Sequence, residues 1–501
     1  MQDKFKQLRT YLGEVMDLAA TAELLGWDQQ TYMPPGSNEG RSMQLATLSR
    51  LTHEKFTSDE LGSALEDLKS IVEELDPNSD DARLIAQVSK EFDKQRKVPN
   101  EYVAEFARIT ALTHQTWEKA RQESDFSIFR ADLEKIIAMR QEYANFFQPY
   151  DHIYDPLLDD FEAGMKTADV KKVFADLRPR QVALVNAIAE SSYQVDDSVL
   201  HQEFDESTQW AFGEEVIKAF GYDFNRGRQD KSVHPFTSSF GNDDVRITTR
   251  VAPNYFNTAL FGTLHEAGHG MYEQGIGKQL ARTPISHGAS FGFHESQSRM
   301  WENLVGRGKP FWIAFFPRLQ EYFPEALRDV NLDDFYRAIN KVERSLIRVE
   351  ADETTYNLHI MVRFELEIAL MTGELSAVNL PEAWNQKYED YLGITPPDDA
   401  QGVLQDIHWS FGGFGYFSTY SLGNLISSML WEVIQGDLPD LQSQFEKAEF
   451  GGLLEWLRAN IYVHGAKYEP MELLKMVTGS ALDADPYMRY LEAKFGEIYK
   501  L

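Results

Sequence analysis

The chain has 501 residues, of which 43% are hydrophobic, 26% charged and 13% aromatic. That composition is typical of a globular protein and excludes a collagen-like, rod-like or disordered chain. The formal net charge of −30 argues against nucleic acid as a partner, because an acidic surface repels phosphate. There is no cysteine, which excludes disulfides, thiolate metal ligands and a cysteine nucleophile.

The sequence contains no stretch with the roughly 18 apolar residues of a membrane-spanning helix. Its first twenty residues mix charges into a helical pattern and lack the continuous apolar segment of a signal peptide. We therefore expect no membrane partner and a cytoplasmic location.

Helical periodicity dominates the chain from its start. Phe5, Leu8, Leu12 and Val15 share one stripe, which predicts an amphipathic first helix. The proline-glycine stretch at 32–37 then forms either the hinge of an N-terminal helical lid over residues 1–90 or an ordinary helix connection. Further helices are predicted in four segments, at 80–124 with a break at Pro99, at 168–192, at 332–373 and at 469–501.

One segment breaks the helical pattern. Residues 232–253 contain two β-favouring runs around a Gly-Asn-Asp-Asp turn, which predicts a β-hairpin. The segment at 332–373 is expected to be one long helix that ends at Gly373. The predicted fold class is therefore mainly α, with a small β-sheet beside the site described next.

The stretch LHEAGHGMY contains two histidines four residues apart. On a helix, His265 and His269 lie one above the other, about 6 Å apart, so both imidazoles can bind one metal ion. Glu266 is turned by about 100° and can reach a water on that ion, which is the arrangement of H-E-x-x-H metallopeptidases. Gly268 inside the motif would allow another backbone to approach closely.

A third protein ligand is required, and no G-x-x-H follows the motif to supply it. Glu273 lies about 12 Å along the helix and is too far away. Glu295 is the better candidate, because the intervening residues suit a loop and a returning helix. Glu302 is the second candidate for the third ligand, or else a partner that orients a ligand. His294 is a weaker candidate for the third ligand. One divalent metal is expected, with zinc as the default and cobalt possible.

This site predicts a hydrolytic mechanism. The metal would acidify its bound water and polarise a carbonyl, while Glu266 takes the proton and passes it to the leaving amine. Donors for the oxyanion are expected from the glycine-rich segment 405–424, which carries His408, Tyr416 and Tyr420.

Six short motifs occur in an order that resembles the Taq-type metallocarboxypeptidases of bacteria and archaea. They are HPF at 234–236, DVRIT at 244–248, HEAGH at 265–269, HESQ at 294–297, IRVEAD at 347–352 and GVLQDIHW at 402–409. The resemblance implies a two-lobed helical peptidase with a deep groove, formed by residues 1–501 as one unit. It also implies His265, His269 and Glu295 as ligands and Glu266 as base, within a metal and substrate region at 230–425.

The same resemblance implies release of single residues from the C-termini of peptides, with broad specificity, by a homodimer. A free carboxylate must then be held, for which arginine is well suited. Arg348 is the first candidate, with Asp352 one helical turn later to orient it. An exposed salt bridge between these two residues, with no role in binding, is the alternative.

Other candidate contacts are less specific. Arg246 and Arg299 are further candidates for the carboxylate. His234 and Tyr420 are expected to contact substrate or oxyanion, but a hairpin hydrogen bond and a packed aromatic explain them about equally well. Asp244 and Asp406 are expected either to support site residues or to be structural.

Two other functions remain open from the sequence. A helical oligopeptidase that cleaves internally or releases dipeptides would use the same metal and base. A non-enzymatic binding protein is disfavoured by Glu266, because metal binding alone does not need a base at that position.

Overall fold

The structure is a computed structural model that describes residues 2–501, and helices make up most of it. The first half of the chain contains α1 (Gln2–Thr31), α2 (Asn38–Phe56), α3 (Asp59–Val72), α4 (Asp80–Arg96), α5 (Asn100–Glu123), α6 (Phe126–Asn145), α7 (Asp155–Asp159), α8 (Thr167–Glu190) and α9 (Glu206–Phe220). The strands are β1 (Gly227–Lys231), β2 (Thr237–Ser239) and β3 (Val245–Thr249).

The second half is again helical. It contains α10 (Phe256–Gly275), α11 (Phe291–Arg299), a π-helical turn (Met300–Val305), α12 (Lys309–Tyr322), α13 (Pro324–Leu327), α14 (Leu332–Ile339), α15 (Tyr356–Thr372), α16 (Leu380–Leu392), α17 (Ser418–Asp437), α18 (Leu441–Phe445), α19 (Gly451–Asn460), α20 (Pro470–Thr478) and α21 (Asp485–Tyr499). Short 3-10 turns lie at Pro35–Ser37, Ser198–Leu200, Lys278–Leu280, Arg348–Glu350, Ala377–Asn379, His408–Phe411 and Tyr462–His464.

Two separate hydrophobic cores give the molecule two lobes. The small core lies among α1, α3 and α4, where Leu8, Leu12 and Val15 are buried as the predicted stripe requires. Ile276 and Leu280, from the segment after α10, complete this core. The rest of the described chain shares one large core. The predicted mainly helical, two-lobed fold is confirmed.

The predicted hairpin is present and belongs to a three-stranded sheet. Strand β2 pairs antiparallel with β3, with Thr237 opposite Ile247. The turn between them includes Gly241, whose φ of 133° favours glycine. Strand β1 pairs parallel with the other edge of β3, and the sequence reading missed it.

The single long helix predicted at 332–373 is wrong. The structure instead has α14, an irregular segment, and then α15, which does end before Gly373. Asp352 explains part of the break, because its carboxylate accepts hydrogen bonds from the backbone N–H groups of Glu343, Thr354 and Thr355. A side chain that binds the backbone in this way competes with helical hydrogen bonds.

A groove of about 1250 Å³ lies between the lobes. Its walls come from α1, α4 and α5 on one side, and its floor comes from α10 and α11. Among the helices of residues 2–501, none has the length and hydropathy required to cross a membrane.

Candidate metal centre

Three helices meet at the floor of the groove, and two glycines allow their close contact. A Cβ on Gly268 of α10 would lie 2.7 Å from the backbone of α11, at the oxygen of Gln297. A Cβ on Gly423 of α17 would lie 2.6 Å from Cβ of Glu295. Helix α11 is therefore packed against bare backbone on two sides, as the sequence predicts for Gly268.

This packing brings together His265, His269 and Glu295. Atom Oε2 of Glu295 lies 3.6 Å from Nε2 of His265 and 3.5 Å from Nε2 of His269. One ligand atom from each residue lies within 4.8 Å of the other two. A tetrahedral ion with bonds of about 2.0–2.1 Å needs ligand atoms about 3.4 Å apart, so these three residues fit a metal ion.

The two oxygens of Glu295 have different surroundings. Nε of Arg299 donates to Oε1 at 2.7 Å, which leaves Oε2 facing the histidines. Burial alone would raise the pKa of Glu295, but Arg299 and the two imidazoles outweigh burial and hold that pKa well below its usual value. Arg299, a sequence candidate for the substrate carboxylate, is thus bound to a candidate ligand.

Glu302 lies behind His265. Its Oε2 accepts a hydrogen bond from Nδ1 of His265 at 2.9 Å, which leaves Nε2 of that ring facing Glu295. Burial opposes ionisation of Glu302, but Arg299 and His265 overcome it and lower its pKa to about 2. Such a carboxylate fixes the tautomer and orientation of a metal-binding histidine.

Glu266 lies next to His265 on α10, faces the groove and is 6% exposed. Oγ1 of Thr237, on β2, donates to its Oε2 at 2.6 Å. Burial raises the pKa of Glu266 above the ordinary glutamate value, and His265 and Thr237 offset only part of this shift. The side chain is therefore a carboxylate that takes up a proton more readily than a solvated glutamate.

Arg348 lies in a buried cluster with a second arginine that the sequence reading missed. Nε and Nη2 of Arg348 donate to Oδ1 of Asp406 at 2.9 and 2.8 Å, and Arg363 donates to Oδ2 at 2.6 Å. Nη1 of Arg348 donates to the hydroxyl of Tyr356. Two guanidinium groups share one carboxylate, so this cluster has an excess positive charge inside an acidic protein.

The aromatic residues expected near the oxyanion adjoin this cluster. Tyr416 and Tyr420 line the groove, and the guanidinium carbon of Arg348 lies 4.9 Å from the centre of the Tyr420 ring. Nε2 of His408 lies 3.3 Å from the Tyr420 hydroxyl. Burial lowers the pKa of His408 to about 3, against the opposing effect of Asp406, and the two arginines act in the same direction as burial.

Several predicted contacts are not brought to the site. Asp352 does not orient Arg348, because the long helix predicted through both residues is absent. Asp352 accepts a backbone hydrogen bond instead, and Asp406 is the carboxylate that binds Arg348. Arg246 pairs with Asp244 and packs on the Trp27 ring of α1, outside the groove lining. His234 is exposed in the connection between β1 and β2, and its neighbours from Pro235 onward line the groove instead.

Two residues of the site were missed by sequence reasoning. Thr237 directly follows the HPF motif, so its place next to that motif could have identified it as a site residue. Arg363 gave no signal, because only the fold brings it next to Asp406, 43 positions away. Its Nη2 is buried and has no hydrogen-bond partner within the described chain.

A helical fold that carries H-E-x-x-H on one helix, with a carboxylate on the next helix facing the two histidines, is characteristic of a metallopeptidase. The chain belongs to the carboxypeptidase Taq (M32) metallopeptidase family, whose family model matches residues 7–495. It is therefore an enzyme of the metallocarboxypeptidase class, which implies a divalent metal, and the oligopeptidase alternative is not favoured.

Curated and solved relatives agree with this assignment. Thermostable carboxypeptidase 1 of Thermus thermophilus is 42% identical over 99% of both chains, and carboxypeptidase 1 of Bacillus subtilis is 38% identical over 99% of this chain and 100% of its own. The crystal structure of an M32 carboxypeptidase from Deinococcus radiodurans superposes with a TM-score of 0.97 at 40% identity, covering all of both chains.

Proposed function

We propose that this enzyme removes single amino acids from the free C-terminus of peptides with broad specificity. One observation carries the proposal. The candidate ligands, Glu266 and Tyr420 all line one groove, and the Tyr420 ring also lies 4.9 Å from the guanidinium carbon of Arg348 in the positively charged cluster. A reactive centre beside a buried positive cluster suits a peptide whose terminal carboxylate lies next to the bond that is cut.

His265, His269 and Glu295 would hold one metal ion, with zinc as the expected metal and cobalt as the alternative. When bound, the metal supplies Lewis-acid chemistry that polarises a peptide carbonyl and acidifies water. Glu266 accepts the proton of the attacking water and delivers it to the leaving amine. Thr237 holds the Glu266 carboxylate in position for both transfers.

Arg348 would bind the terminal carboxylate. A guanidinium has five N–H groups, and three of those on Arg348 already donate to Asp406 and Tyr356. One N–H on Nη1 and one on Nη2 remain for a carboxylate. Arg348 itself does not line the groove, so we expect the neighbouring Tyr420 ring to shift when this contact forms. Tyr420 and His408 would then face the substrate.

The test is digestion of one peptide in free and C-terminally amidated forms, followed by mass spectrometry. We expect a ladder of one-residue losses from the free peptide, no cleavage of the amidated peptide, and loss of activity on chelation. Glu266→Gln should keep the metal and reduce kcat by roughly 10²–10⁴. Internal fragments from the amidated peptide, or full activity of Glu266→Gln, would contradict the proposal.

The dimer follows from the family resemblance alone, whereas the cytoplasmic location and the lid follow from features of the sequence. We infer a homodimer, a cytoplasmic location and one peptidase unit, in which residues 1–90 act as a lid and residues 230–425 hold the metal and substrate. Metal analysis of the purified protein, with sedimentation velocity, would check the metal and the dimer. A monomer at micromolar concentration would overturn the dimer alone.

A further inference from the structure

His294 precedes Glu295 on α11, and both of its ring nitrogens are in contact with other side chains. Its Nδ1 lies 2.6 Å from Nδ1 of His269, and its Nε2 lies 2.8 Å from Oε1 of Glu273. Glu273 is 4% exposed, and the same oxygen accepts the backbone N–H of Gly288 at 3.0 Å. Glu273, His294 and His269 therefore form a continuous row of contacts, and His269 at its end is a candidate metal ligand.

The direction of these hydrogen bonds follows from the two ends of the row. A carboxylate only accepts, so Nε2 of His294 carries a proton and donates it to Glu273. At the other end, a His269 ring that binds a metal through Nε2 carries its proton on Nδ1, which then donates to Nδ1 of His294. This leaves the lone pair on Nε2 of His269, the nitrogen that lies 3.5 Å from Oε2 of Glu295.

Packing holds the His294 ring in this orientation. A Cβ on Gly288 would lie 2.7 Å from Cδ2 of His294, so only glycine leaves room for the ring there. The ring of Tyr272 lies on another side, with its centre 5.1 Å from that of His294. With both nitrogens engaged, His294 has no lone pair free to bind a metal itself.

The geometry points to Glu273 and His294 as positioning residues that fix the tautomer and direction of His269 through a carboxylate–imidazole–imidazole relay. Glu302 makes the corresponding contact to His265 directly. The two metal-binding histidines are thus oriented by two different carboxylates, one of them through an intervening ring. The inference rests on the metal site of the proposed function.

The relay is tested by metal affinity, measured by chelator competition for zinc in the purified full-length chain. His294→Phe keeps a ring but removes the acceptor, and we expect zinc to bind 10–100-fold more weakly, the usual effect of losing such a partner. His294→Asn can still present an oxygen to His269 and should stay within about threefold of wild type. The exposed His234→Asn is the control and should match wild type.

A second readout reports the tautomer directly. In ¹⁵N-histidine NMR spectra of metal-free protein, His269 should carry its proton on Nδ1 in the wild type and become a mixture in His294→Phe and Glu273→Ala. Wild-type zinc affinity and an unchanged His269 signal in His294→Phe would overturn the relay. Absence of zinc binding by wild type would instead overturn the metal site, so the two failures are distinguishable.

Discussion

At the scale of single residues, the arginines show how burial decides which side chain is available for binding. Arg348 is 5% exposed and shares Asp406 with Arg363, so the charge of that carboxylate is already neutralised by one guanidinium. Arg246 is paired with Asp244 and packs on Trp27, near the first helix. Of these two arginines, Arg348 belongs to the cluster with excess positive charge and lies beside a residue of the groove lining.

The first prediction compares these two arginines. Arg348→Ala should lower kcat/KM for peptides with a free C-terminus by roughly 10- to 100-fold, the worth of a charge-assisted hydrogen bond. Arg363 still neutralises Asp406 in this variant, which limits damage to the fold. Arg246→Ala, measured in the same steady-state assay, should stay within about twofold of wild type. Equal losses in both variants would show that Arg348 does not bind the carboxylate.

A second residue-scale prediction concerns Glu162, which is completely buried beside the start of α11. Its Oε1 accepts the N–H of Gly292, and burial raises its pKa from 4.5 to about 8. The unfolded carboxyl loses its proton near 4.5, so between these values the native protein binds one proton more. Stability must therefore fall as pH rises from about 4.5 to about 8.

Glu162→Gln removes this titration and keeps an oxygen for Gly292. We expect the melting temperature of wild type to fall relative to Glu162→Gln between pH 5 and pH 8, because each pKa unit corresponds to about 1.4 kcal/mol. Differential scanning calorimetry at the two pH values measures the difference. A constant difference between the proteins would show that Glu162 is ionised throughout this range.

At the scale of elements, the site depends on how closely α10 and α17 approach α11. Glu295 and Glu302 lie on one side of α11 and its π-helical continuation, since Arg299 donates to both. The wider turn at Met300–Val305 begins between these two glutamates. Helix α17 can approach Glu295 only because residue 423 has no side chain.

The prediction at this scale uses two glycines of α17. Gly423→Ala places a Cβ against Glu295, so we expect a loss of about 1–3 kcal/mol in stability and weaker metal binding. Gly436 lies in the same helix, and a Cβ added there would have no atom within 4 Å. Gly436→Ala should therefore leave the stability unchanged or raise it by up to about 1 kcal/mol. Thermal melting and zinc titration of both variants measure these effects. Equal stability and equal zinc affinity of the two variants would show that residue 423 does not pack closely on Glu295.

At the scale of the whole molecule, the small N-terminal core is attached to the segment between α10 and α11, the two helices that carry the candidate ligands. Ile276, Leu280 and Ile285 follow α10, precede α11 and pack into the core of α1, α3 and α4. The far end of α1 contacts the sheet, where Tyr32 bonds to Asp230 and Trp27 packs on Arg246. Movement of a lid would therefore be resisted at both places.

Leu280→Ala tests whether α1, α3 and α4 unfold together as one unit. Leu280 is completely buried, and such truncations cost about 2–5 kcal/mol. We expect faster hydrogen exchange in α3 and α4, with unchanged rates in α11 and α17, measured by mass spectrometry of peptic fragments. Acceleration of the same size throughout the chain would show that residues 1–90 are not a separate cooperative unit.

The helical class, the hairpin and the candidate ligands His265, His269 and Glu295 can be predicted from the amino-acid sequence, because each of these depends on local spacing. A helix places residues four apart on one face, and a short gap lets the next helix return beside it. The fold class and family are confirmed, and the site roles remain predictions.

Which distant side chains meet depends on the three-dimensional fold. Asp406 rather than Asp352 binds Arg348, Thr237 contacts Glu266, and Arg246 lies away from the groove. These contacts join segments far apart in the chain, and no periodicity encodes them. The break before α15 has the same origin, since the hydrogen bonds that Asp352 and Arg348 make with distant residues outweigh a helical pattern that is locally favourable.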